Sequence, residues 1–486
     1  MLHIKGTKFY EFNAYFRENS KAIGTIGDIL NIFNYKSVTN NIFSHKTRGH
    51  DLLVLFQVMV MFPFLSLNNV NGFIHSAYSQ MITACKDSFY DLLSSSLINW
   101  RVLLYNVVKR FNKVTIDRSE DDEGTGATRC FIADDSDIEK RGRKFEGISR
   151  IFNHVIGRHI FGFKLLVLGL WDGKSFIPVD FSYHNEKGKK KNYGLTRKQR
   201  NERFQKERER TSYGYKRKKE LREKKTTNLV KMLRRAVKHG LSADYVLTDA
   251  WFCTQNFITN VRNIKNGKMH VISMCRMDKR NYELEGNVMN AAAILQSKKS
   301  YKKRSRSNKV YYIEVNATYK GIPVKLFFTR ITKRAKWRLI VTTNTALSFN
   351  ETYKIYQIRW TIEVFFKEAK QYLGLGKCQS VDFDTQIAAT TISFIQYIML
   401  SLHKRYNAYE SIGGLFKQCK TNTQEAILAE RIWAEVLDVI INFIEELELP
   451  VELEELVEKI IEKANNNSQI NYTFSPPTYE GRKLCA

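Results

Sequence analysis

The segment YQIRWTIEVFFKEAKQYLGL, residues 356–375, carries the most informative pattern of apolar and polar positions in the chain. Its polar residues Tyr356, Arg359, Glu363 and Lys370 stand at relative positions 0, 3, 7 and 14. At roughly 100° per helical residue they lie within an arc of about 60° on one face. The segment therefore predicts a helix that buries an apolar stripe and turns its charged face toward a groove. The stripe consists of Ile355, Ile358, Ile362, Phe366, Ala369 and Leu373.

Shorter apolar runs predict a sheet upstream of this helix. Phe163–Leu170 and Ser175–Tyr183 are expected to pair as strands around a tight turn. A helix from about Thr226 to His239 is expected to end at Gly240. It leads into a short apolar strand, Tyr245–Thr248. The predicted order is therefore strand, hairpin, helix and strand.

A second group of strands is predicted farther along the chain. Between Asp249 and Glu363 lie 113 residues, more than one strand and one helix need. The basic stretch SKKSYKKRSRSNK, residues 297–309, is expected to form a loop among these strands. The predicted strands are His270–Met277, Val310–Tyr319, Val324–Ile331 and Trp337–Thr342.

Two acids follow predicted strands. Phe131–Ala133 predicts a brief strand that ends in acid at Asp134, and the strand before Asp249 ends at that residue. An Asp at a strand end is also a common turn former or helix cap. The ordered set Asp134, Asp249 and Glu363, together with the basic helix, favours chemistry over a turn. The alternatives for the first acid are Asp135 and Asp137.

Three convergent carboxylates indicate a bound metal. They repel one another and raise their own pKa values unless cations neutralise them. Hard divalent cations prefer such oxygen ligands, while Arg and Lys neutralise phosphate oxygens. A zinc site has little support, because none of the seven Cys forms a C-x2-C pair. The two H-x4-H pairs, His45 with His50 and His154 with His159, do not complete one.

The spacing Y-x2-R-x3-E-x6-K of the 356–375 segment resembles the YREK signature of DDE transposases of the insertion-sequence-four family. The resemblance implies a ribonuclease H-like core and two Mg²⁺ or Mn²⁺ ions, which can serve both hydrolysis and strand joining. Asp135-Ser136 after Asp134 departs mildly from the family pattern. Carried onto this chain, the resemblance assigns catalysis and metal binding to Asp134, Asp249 and Glu363, and DNA binding to Tyr356, Arg359, Lys370 and Trp337.

Trp337 lies in the segment AKWRLIVTTN, which resembles the family segment whose tryptophan accepts a base flipped from DNA. Aromatic stacking can replace the neighbours that an extruded base loses. Without the resemblance, a tryptophan packed in the core of a strand would be the preferred interpretation. For Trp360, beside Arg359, the sequence leaves open both a contact with DNA and simple packing within the protein.

The charge of the chain favours nucleic acid as its partner. There are 78 Lys and Arg against 49 Asp and Glu, a formal net charge of +29. Eighteen basic and five acidic residues lie between Lys187 and Lys225, and seven basic and no acidic residues between Lys298 and Lys309. Phosphate contacts from such runs would give strongly salt-dependent affinity. The stretch Thr421–Ala464 is the opposite, with 12 acidic and three basic residues.

The predicted fold is a multidomain α/β (α+β) protein with a ribonuclease H-like mixed sheet. Residues 116–265 and 345–385 are assigned to the catalytic core and 266–344 to a β-strand insertion domain. Residues 1–115 are assigned to a helical domain that, by the resemblance, recognises terminal inverted repeats. The acidic helical residues 386–486 are expected to make subunit contacts or to restrain the basic surface.

The predicted function is therefore that of a cut-and-paste DNA transposase, and the resemblance implies that it passes through a hairpin intermediate. Its partners would be double-stranded DNA with terminal inverted repeats, target DNA and a second copy of the chain. The rival interpretations are a DNA-binding protein without activity and a metal-dependent nuclease that does not join strands. Scattered Cys and the absence of a predicted membrane helix favour a reducing cytoplasm. The resemblance implies a bacterial, nucleoid-associated location. The apolar run Ala389–Leu402 is judged too short to span a membrane.

Overall fold

The computed structural model describes residues 38–39, 42–43, 50–117 other than 77, 80, 81 and 83, 127–406 and 411–421. The chain divides into two compact units. One unit is Leu93–Ser401, and the other combines Met1–Leu92 with Leu402–Ala486. The predicted acidic helix at residues 449–464 lies outside the described residues.

The described N-terminal residues are helical, as predicted. Helix α1, Leu52–Met61, is almost wholly buried and corresponds to the most apolar segment of this region. Its N-cap is Asp51, whose side chain accepts a hydrogen bond of 2.8 Å from the backbone N–H of Leu53. Helices α2, Val70–Ile74, and α3, Lys86–Ser94, follow.

Within the described residues, Leu93–Ser401 contains a 12-stranded mixed sheet. The strand order is β2-β3-β1-β5-β6-β12-β11-β10-β7-β8, with β4 also paired to β3 and β9 to β10. The strands are β1 Cys130–Glu139, β2 Ser149–Asn153, β3 Arg158–Trp171, β4 Phe176–His184, β5 Tyr245–Thr248, β6 His270–Cys275, β7 Asn281–Leu284, β8 Asn287–Asn290, β9 Lys303–Ser305, β10 Val310–Tyr319, β11 Ile322–Arg330 and β12 Arg338–Thr342.

Nine helices of the described chain accompany this sheet. They are α4 Trp100–Asp117, α5 Arg197–Asn201, α6 Tyr213–Glu220, α7 Lys225–Lys238, α8 Gln255–Arg262, α9 Ala291–Ser297, α10 Phe349–Gln357, α11 Trp360–Tyr372 and α12 Phe383–Tyr406.

The central strands confirm the expectation of a ribonuclease H-like mixed sheet. Strands β3 and β4 form the predicted hairpin, and β3 pairs antiparallel with β1. Strand β1 then pairs in parallel with β5, and β5 in parallel with β6. The predicted helix before β5 is present as α7. Parallel neighbouring strands need a crossover connection. Helix α7 lies in the connection that leads to β5, and α8 lies in the connection from β5 to β6.

The strands predicted between Asp249 and Glu363 are also present, and they extend the same sheet. Strand β12 pairs antiparallel with β6, and β11 and β10 follow in order. The prediction that residues 297–309 form only a loop is wrong. Residues 303–305 form β9, because their backbone pairs with the start of β10 in a short hairpin.

The prediction that a brief strand ends at Asp134 is also wrong. Strand β1 continues to Glu139, because β3 pairs with it over its whole length, from Cys130 opposite Trp171 to Glu139 opposite Gly162. Its parallel pairing with β5 covers only residues 130–132. Asp134 therefore lies where the parallel pair ends, although its own strand goes on.

The single helix predicted for residues 356–375 is two helices, α10 and α11. The backbone at Ile358 and Arg359 keeps right-handed helical dihedrals. However, the hydrogen bonds there are of the tighter i to i−3 kind, such as Arg359 N–H to the Tyr356 carbonyl at 3.0 Å. The right-handed winding of the backbone continues through the junction between α10 and α11. The four charged and polar residues of the signature therefore still lie on one face of the two helices.

The apolar side of α11 fixes this helix against the sheet and α12. Phe365 is fully buried. Its ring lies 5.5 Å from that of Phe176 on β4, and 5.1 Å and 4.8 Å from those of Phe394 and Tyr397 on α12. Aromatic contacts of this kind add to the burial of apolar area. The predicted stripe is buried as expected except at Ile358, which is half-buried.

Helix α12 is longer than the apolar run Ala389–Leu402 suggested. Among the described residues, it alone is long and apolar enough to cross a membrane by length and composition. Its apolar window is 94% buried inside the protein, which is typical of a core helix.

Several cations of the basic run Lys187–Lys225 form buried ion pairs within the protein. Arg208, only 1% exposed, donates to Glu146 at 2.6 Å and to Asp384 at 2.8 Å. Lys218 pairs with Glu146 at 2.5 Å, and Lys206 with Asp384 at 3.1 Å. Arg208 and Lys206 join the run to the start of α12, and Lys218 joins it to Glu146. These cations therefore serve the fold and are not free to bind phosphate.

We expect Glu146→Gln to destabilise the protein by about 2 kcal/mol, because it removes the charge of the carboxylate that lies nearest to the buried Arg208. Burial alone would raise the pKa of Glu146, but hydrogen bonds from Arg208 and Lys218 outweigh it and lower the pKa to about 2. The stabilisation is therefore complete above the usual pKa of 4.5 and is lost as pH falls toward 2.

Urea unfolding of the wild type and the variant at pH 7 and at progressively lower pH would measure this effect. The difference between them should shrink as the pH falls below 4.5. A difference that stayed constant with pH would contradict the assignment.

Candidate catalytic site

The parallel pairing of β1 with β5 brings two of the predicted acids together. Ile132 lies opposite Leu247, so continuing this register by two residues places Asp134 beside Asp249. Both side chains lie at the carboxyl end of the parallel pair, where open α/β sheets bind ligands. The Asp249 carboxylate also accepts a hydrogen bond of 3.0 Å from the backbone N–H of Trp251, which fixes its orientation.

Arg359 joins the third acid to this pair. Its guanidinium donates from Nη1 to Asp134 at 2.9 Å and from Nη2 to Glu363 at 2.5 Å. Asp134 and Arg359 are largely buried, and one third of the Glu363 side chain is exposed. One cation therefore bridges a carboxylate of β1 and a carboxylate of α11.

The electrostatics of the two aspartates reflect crowding of negative charge. Burial, followed by the nearby Asp249, raises the pKa of Asp134 to about 7 even though Arg359 opposes the shift. The pKa of Asp249 is also raised, chiefly by burial. Carboxylates with raised pKa values in a shared site are typical of functional centres and gain from a bound cation.

The other two residues of the signature face the same strands. The Tyr356 hydroxyl donates to the carbonyl of Thr248, the residue before Asp249, at 3.3 Å, and burial raises its pKa to about 12. Lys370 donates to the Ser136 hydroxyl at 2.7 Å and to the Asp137 carbonyl at 2.9 Å. Burial lowers the pKa of Lys370. All four signature residues therefore lie along the carboxyl ends of β1 and β5.

The alternatives for the first acid have other partners. Asp135 forms an ion pair with Lys225, at the start of α7, and Asp137 pairs with Lys164 at 2.5 Å. Successive residues of a strand point to opposite faces. Because Asp134 contacts Arg359 and Asp135 does not, the geometry favours Asp134 as the acid that joins Asp249 and Glu363.

Trp337 lies apart from this cluster. It immediately precedes β12, is half-buried, and contacts the guanidinium of Arg330, which lies 4.4 Å from its ring centre. Among the described residues, no contact joins its side chain to Asp134, Asp249 or Glu363. One face of the indole is therefore occupied by Arg330, and a base would have to stack on the other.

A basic and aromatic rim lies beside the acids, of which sequence reasoning missed Trp251 and left the role of Trp360 open. Trp251, two residues after Asp249, is 43% exposed, and Lys225 lies 4.2 Å from its ring centre. Trp360, next to Arg359, is 62% exposed. The DAWF sequence that follows the Asp249 strand was the available signal. An exposed indole next to a crowded acid site is a candidate contact for a nucleobase.

The donor set fits a hard divalent cation in its chemistry. Asp134, Asp249 and Glu363 offer carboxylate oxygens only, and burial, with a smaller contribution from neighbouring acids, raises the pKa values of Asp134 and Asp249. The arrangement is not a closed metal cage, since no three His, Cys, Asp or Glu side chains in the described chain are grouped to hold a metal ion. Arg359 lies between Asp134 and Glu363 in the position of a neutralising cation.

Comparison with known families finds a match to part of the chain. Residues 77–311, just under half of the chain, match the family described as DDE superfamily endonuclease. The matched stretch includes Asp134 and Asp249 and ends before Trp337 and Glu363. No curated protein matches the chain. The match supports a DDE transposase-type family for this chain, and with it a nuclease or transposase type of function on DNA.

Proposed function

We propose that the protein is a cut-and-paste DNA transposase of the insertion-sequence-four type, which cleaves DNA at terminal inverted repeats and joins the ends to target DNA. The observation that carries the proposal is the convergence of Asp134 and Glu363 on Arg359 beside Asp249. This constellation combines the acids that a two-cation phosphoryl-transfer site needs with the cation that such a site uses for phosphate.

Asp134, Asp249 and Glu363 would hold Mg²⁺ or Mn²⁺, two ions in our proposal. Bound there, the cations would activate a water or a DNA 3′-hydroxyl and stabilise the leaving oxygen. The protein's own side chains would bind and orient the DNA. Arg359 and Lys370 donate to phosphate oxygens beside the cleaved strand, and the Tyr356 hydroxyl donates a further hydrogen bond that orients the DNA end.

Three finer features belong to the same proposal. Trp337 would accept a flipped base while the element end is sealed as a hairpin, a role supported by the family resemblance. The strand-transfer complex would contain two copies of the chain, one for each element end. The N-terminal helical residues would recognise the terminal inverted repeats.

The test is to incubate the purified protein with labelled element ends, taken from the DNA that flanks the gene, a target plasmid and Mg²⁺. The proposal expects nicked ends, a hairpin species on a denaturing gel and ends joined to the plasmid. Ends that are cut but never joined would indicate a nuclease without transfer. Ends that are bound but unchanged in Mg²⁺ and Mn²⁺ would indicate a DNA-binding protein without activity.

A further inference from the structure

A row of arginine and aromatic side chains crosses three strands away from the acid site. Tyr311 on β10 lies directly opposite Arg304 on β9 and directly opposite Arg330 on β11. Residues that pair directly across neighbouring strands lie on the same face of a sheet. We call Arg304, Tyr311, Arg330 and the adjacent Trp337 the arginine row.

The arginine row is held together by contacts between guanidinium groups and aromatic rings. The guanidinium carbons of Arg304 and Arg330 lie 5.3 Å and 5.7 Å from the centre of the Tyr311 ring. Arg330 also lies 4.4 Å from the Trp337 ring. Lys302 adds an ammonium 5.7 Å from Tyr311. Such contacts stabilise a cation and restrict its orientation, while its N–H edges remain available.

The surface around the arginine row is strongly positive and poorly neutralised. Residues 298–309 and 330–338, on adjoining strands and turns, contain 12 Lys and Arg and no acid. Within the part of the chain that the structure describes, only Lys298 and Lys303 among these 12 form ion pairs, with Glu285 and Glu314. The basic run Lys187–Lys225 differs, because several of its cations are buried against acids.

Uncompensated cations on adjoining strands repel one another, and a polyanion relieves that repulsion. Arg304 is exposed, and its side chain forms no hydrogen bond or ion pair with any described residue. Neighbouring strands lie about 4.8 Å apart, so Arg304 and Arg330 are separated by roughly 10 Å, the length of about three base-pair steps. Two oriented guanidinium groups at this spacing suit two phosphates about three nucleotides apart on one nucleic-acid backbone.

We propose that Arg304 and Arg330 of the arginine row bind the phosphate backbone of double-stranded DNA, on strands that do not carry the acids. This inference rests on the proposed function for its choice of DNA, and on the charge and geometry of the row for its location. The Tyr311 ring holds both guanidinium groups. Arg304 keeps its N–H groups for phosphate, whereas Arg330 donates from Nη1 to the Lys333 carbonyl at 2.9 Å and offers its Nη2 edge. The contact carries no base sequence information, so it anchors DNA of any sequence.

The test is DNA binding measured by anisotropy of a short fluorescein-labelled duplex of random sequence, in EDTA and over a series of KCl concentrations. We expect Arg304→Ala/Arg330→Ala to weaken binding at least about tenfold, since each substitution removes a charge-assisted hydrogen bond to phosphate. The slope of log affinity against log salt should fall by about 1.8, or about 0.9 for each phosphate that is no longer neutralised. Tyr311→Ala should weaken binding as well, and Tyr311→Phe, which keeps the ring, should not.

The matched control is Arg158→Ala/Lys268→Ala, which removes the same charge from two exposed positions outside the row. It should leave the salt slope nearly unchanged. Equal effects of the two double variants would mean that only net charge matters and would overturn the proposal. The proposal would also be overturned if the wild-type protein preferred single-stranded DNA or RNA to the duplex in a competition assay. Thermal unfolding of each variant separates weaker DNA binding from damage to the fold.

The two proposals fail independently in these experiments. Because the binding assay contains EDTA, it does not depend on any chemistry at the acids. A protein that binds duplex DNA through the arginine row and never cuts would overturn the transposase proposal alone. A protein that cuts and joins DNA with a salt slope unaffected by the row variants would overturn the arginine row alone.

Discussion

Glu363→Gln is expected to abolish Mg²⁺-dependent nicking of DNA ends while leaving the binding of those ends intact. The substitution keeps the size of the side chain and removes one of the three carboxylates proposed to hold the cations. A bound cation contributes several kcal/mol to charge stabilisation in the transition state, and each 1.36 kcal/mol is tenfold in rate. A loss of at least about 10³-fold in the nicking rate follows.

The measurement is nicking of a labelled end in Mg²⁺, with end binding followed by gel shift in EDTA. Glu283→Gln is the matched control, since Glu283 is an exposed acid on β7 with no ion pair to the described residues. It should nick at the wild-type rate. Nicking by Glu363→Gln at close to that rate would remove Glu363 from the proposed site.

Much of the fold was predictable because strand periodicity and turn signals are local properties. The hairpin of β3 and β4, the helix α7 and the strand Tyr245–Thr248 could all be identified from short windows of sequence. The position of Asp249 follows from the end of its strand in the same way. The family signature supplied the order in which the acids occur.

What could not be predicted depends on pairing between distant residues. The length of β1 beyond Asp134 is set by β3, and β9 forms only because β10 is beside it. The separation of α10 from α11 is a change of hydrogen-bond pattern that spacing alone does not reveal. The arginine row is likewise invisible in sequence, since Arg304 and Arg330 are 26 positions apart and meet only through Tyr311.

The bridge made by Arg359 is the least predictable part of the site and has the clearest consequence. The signature suggested a residue that faces phosphate, whereas the structure has it paired with Asp134 and Glu363. A guanidinium in this position neutralises the acids that a divalent cation would otherwise neutralise. We therefore expect Arg359 and the proposed cation to compete for these carboxylates, so that a bound cation would release Arg359 to DNA.

Arg359→Ala should therefore have opposite effects on catalysis and on cation binding. Loss of a positioned phosphate donor is expected to reduce cleavage of DNA ends by about 10²- to 10³-fold. Without cations, the variant should unfold at a lower temperature than the wild type, since Asp134 and Glu363 lose their partner. Added Mg²⁺ should then raise the unfolding temperature more in the variant, because a ligand that binds more tightly stabilises the folded state more.

Thermal unfolding in EDTA and over a series of Mg²⁺ concentrations measures this competition without any catalytic readout. Arg359→Lys keeps the charge but not the two-pronged donor geometry, so its response to Mg²⁺ should lie between those of the wild type and Arg359→Ala. Glu363→Gln should show a weakened response, because it removes a ligand and not a competitor. If Mg²⁺ stabilised the wild type and Arg359→Ala equally, Arg359 would not be competing with cations, and the bridge would be only a structural ion pair.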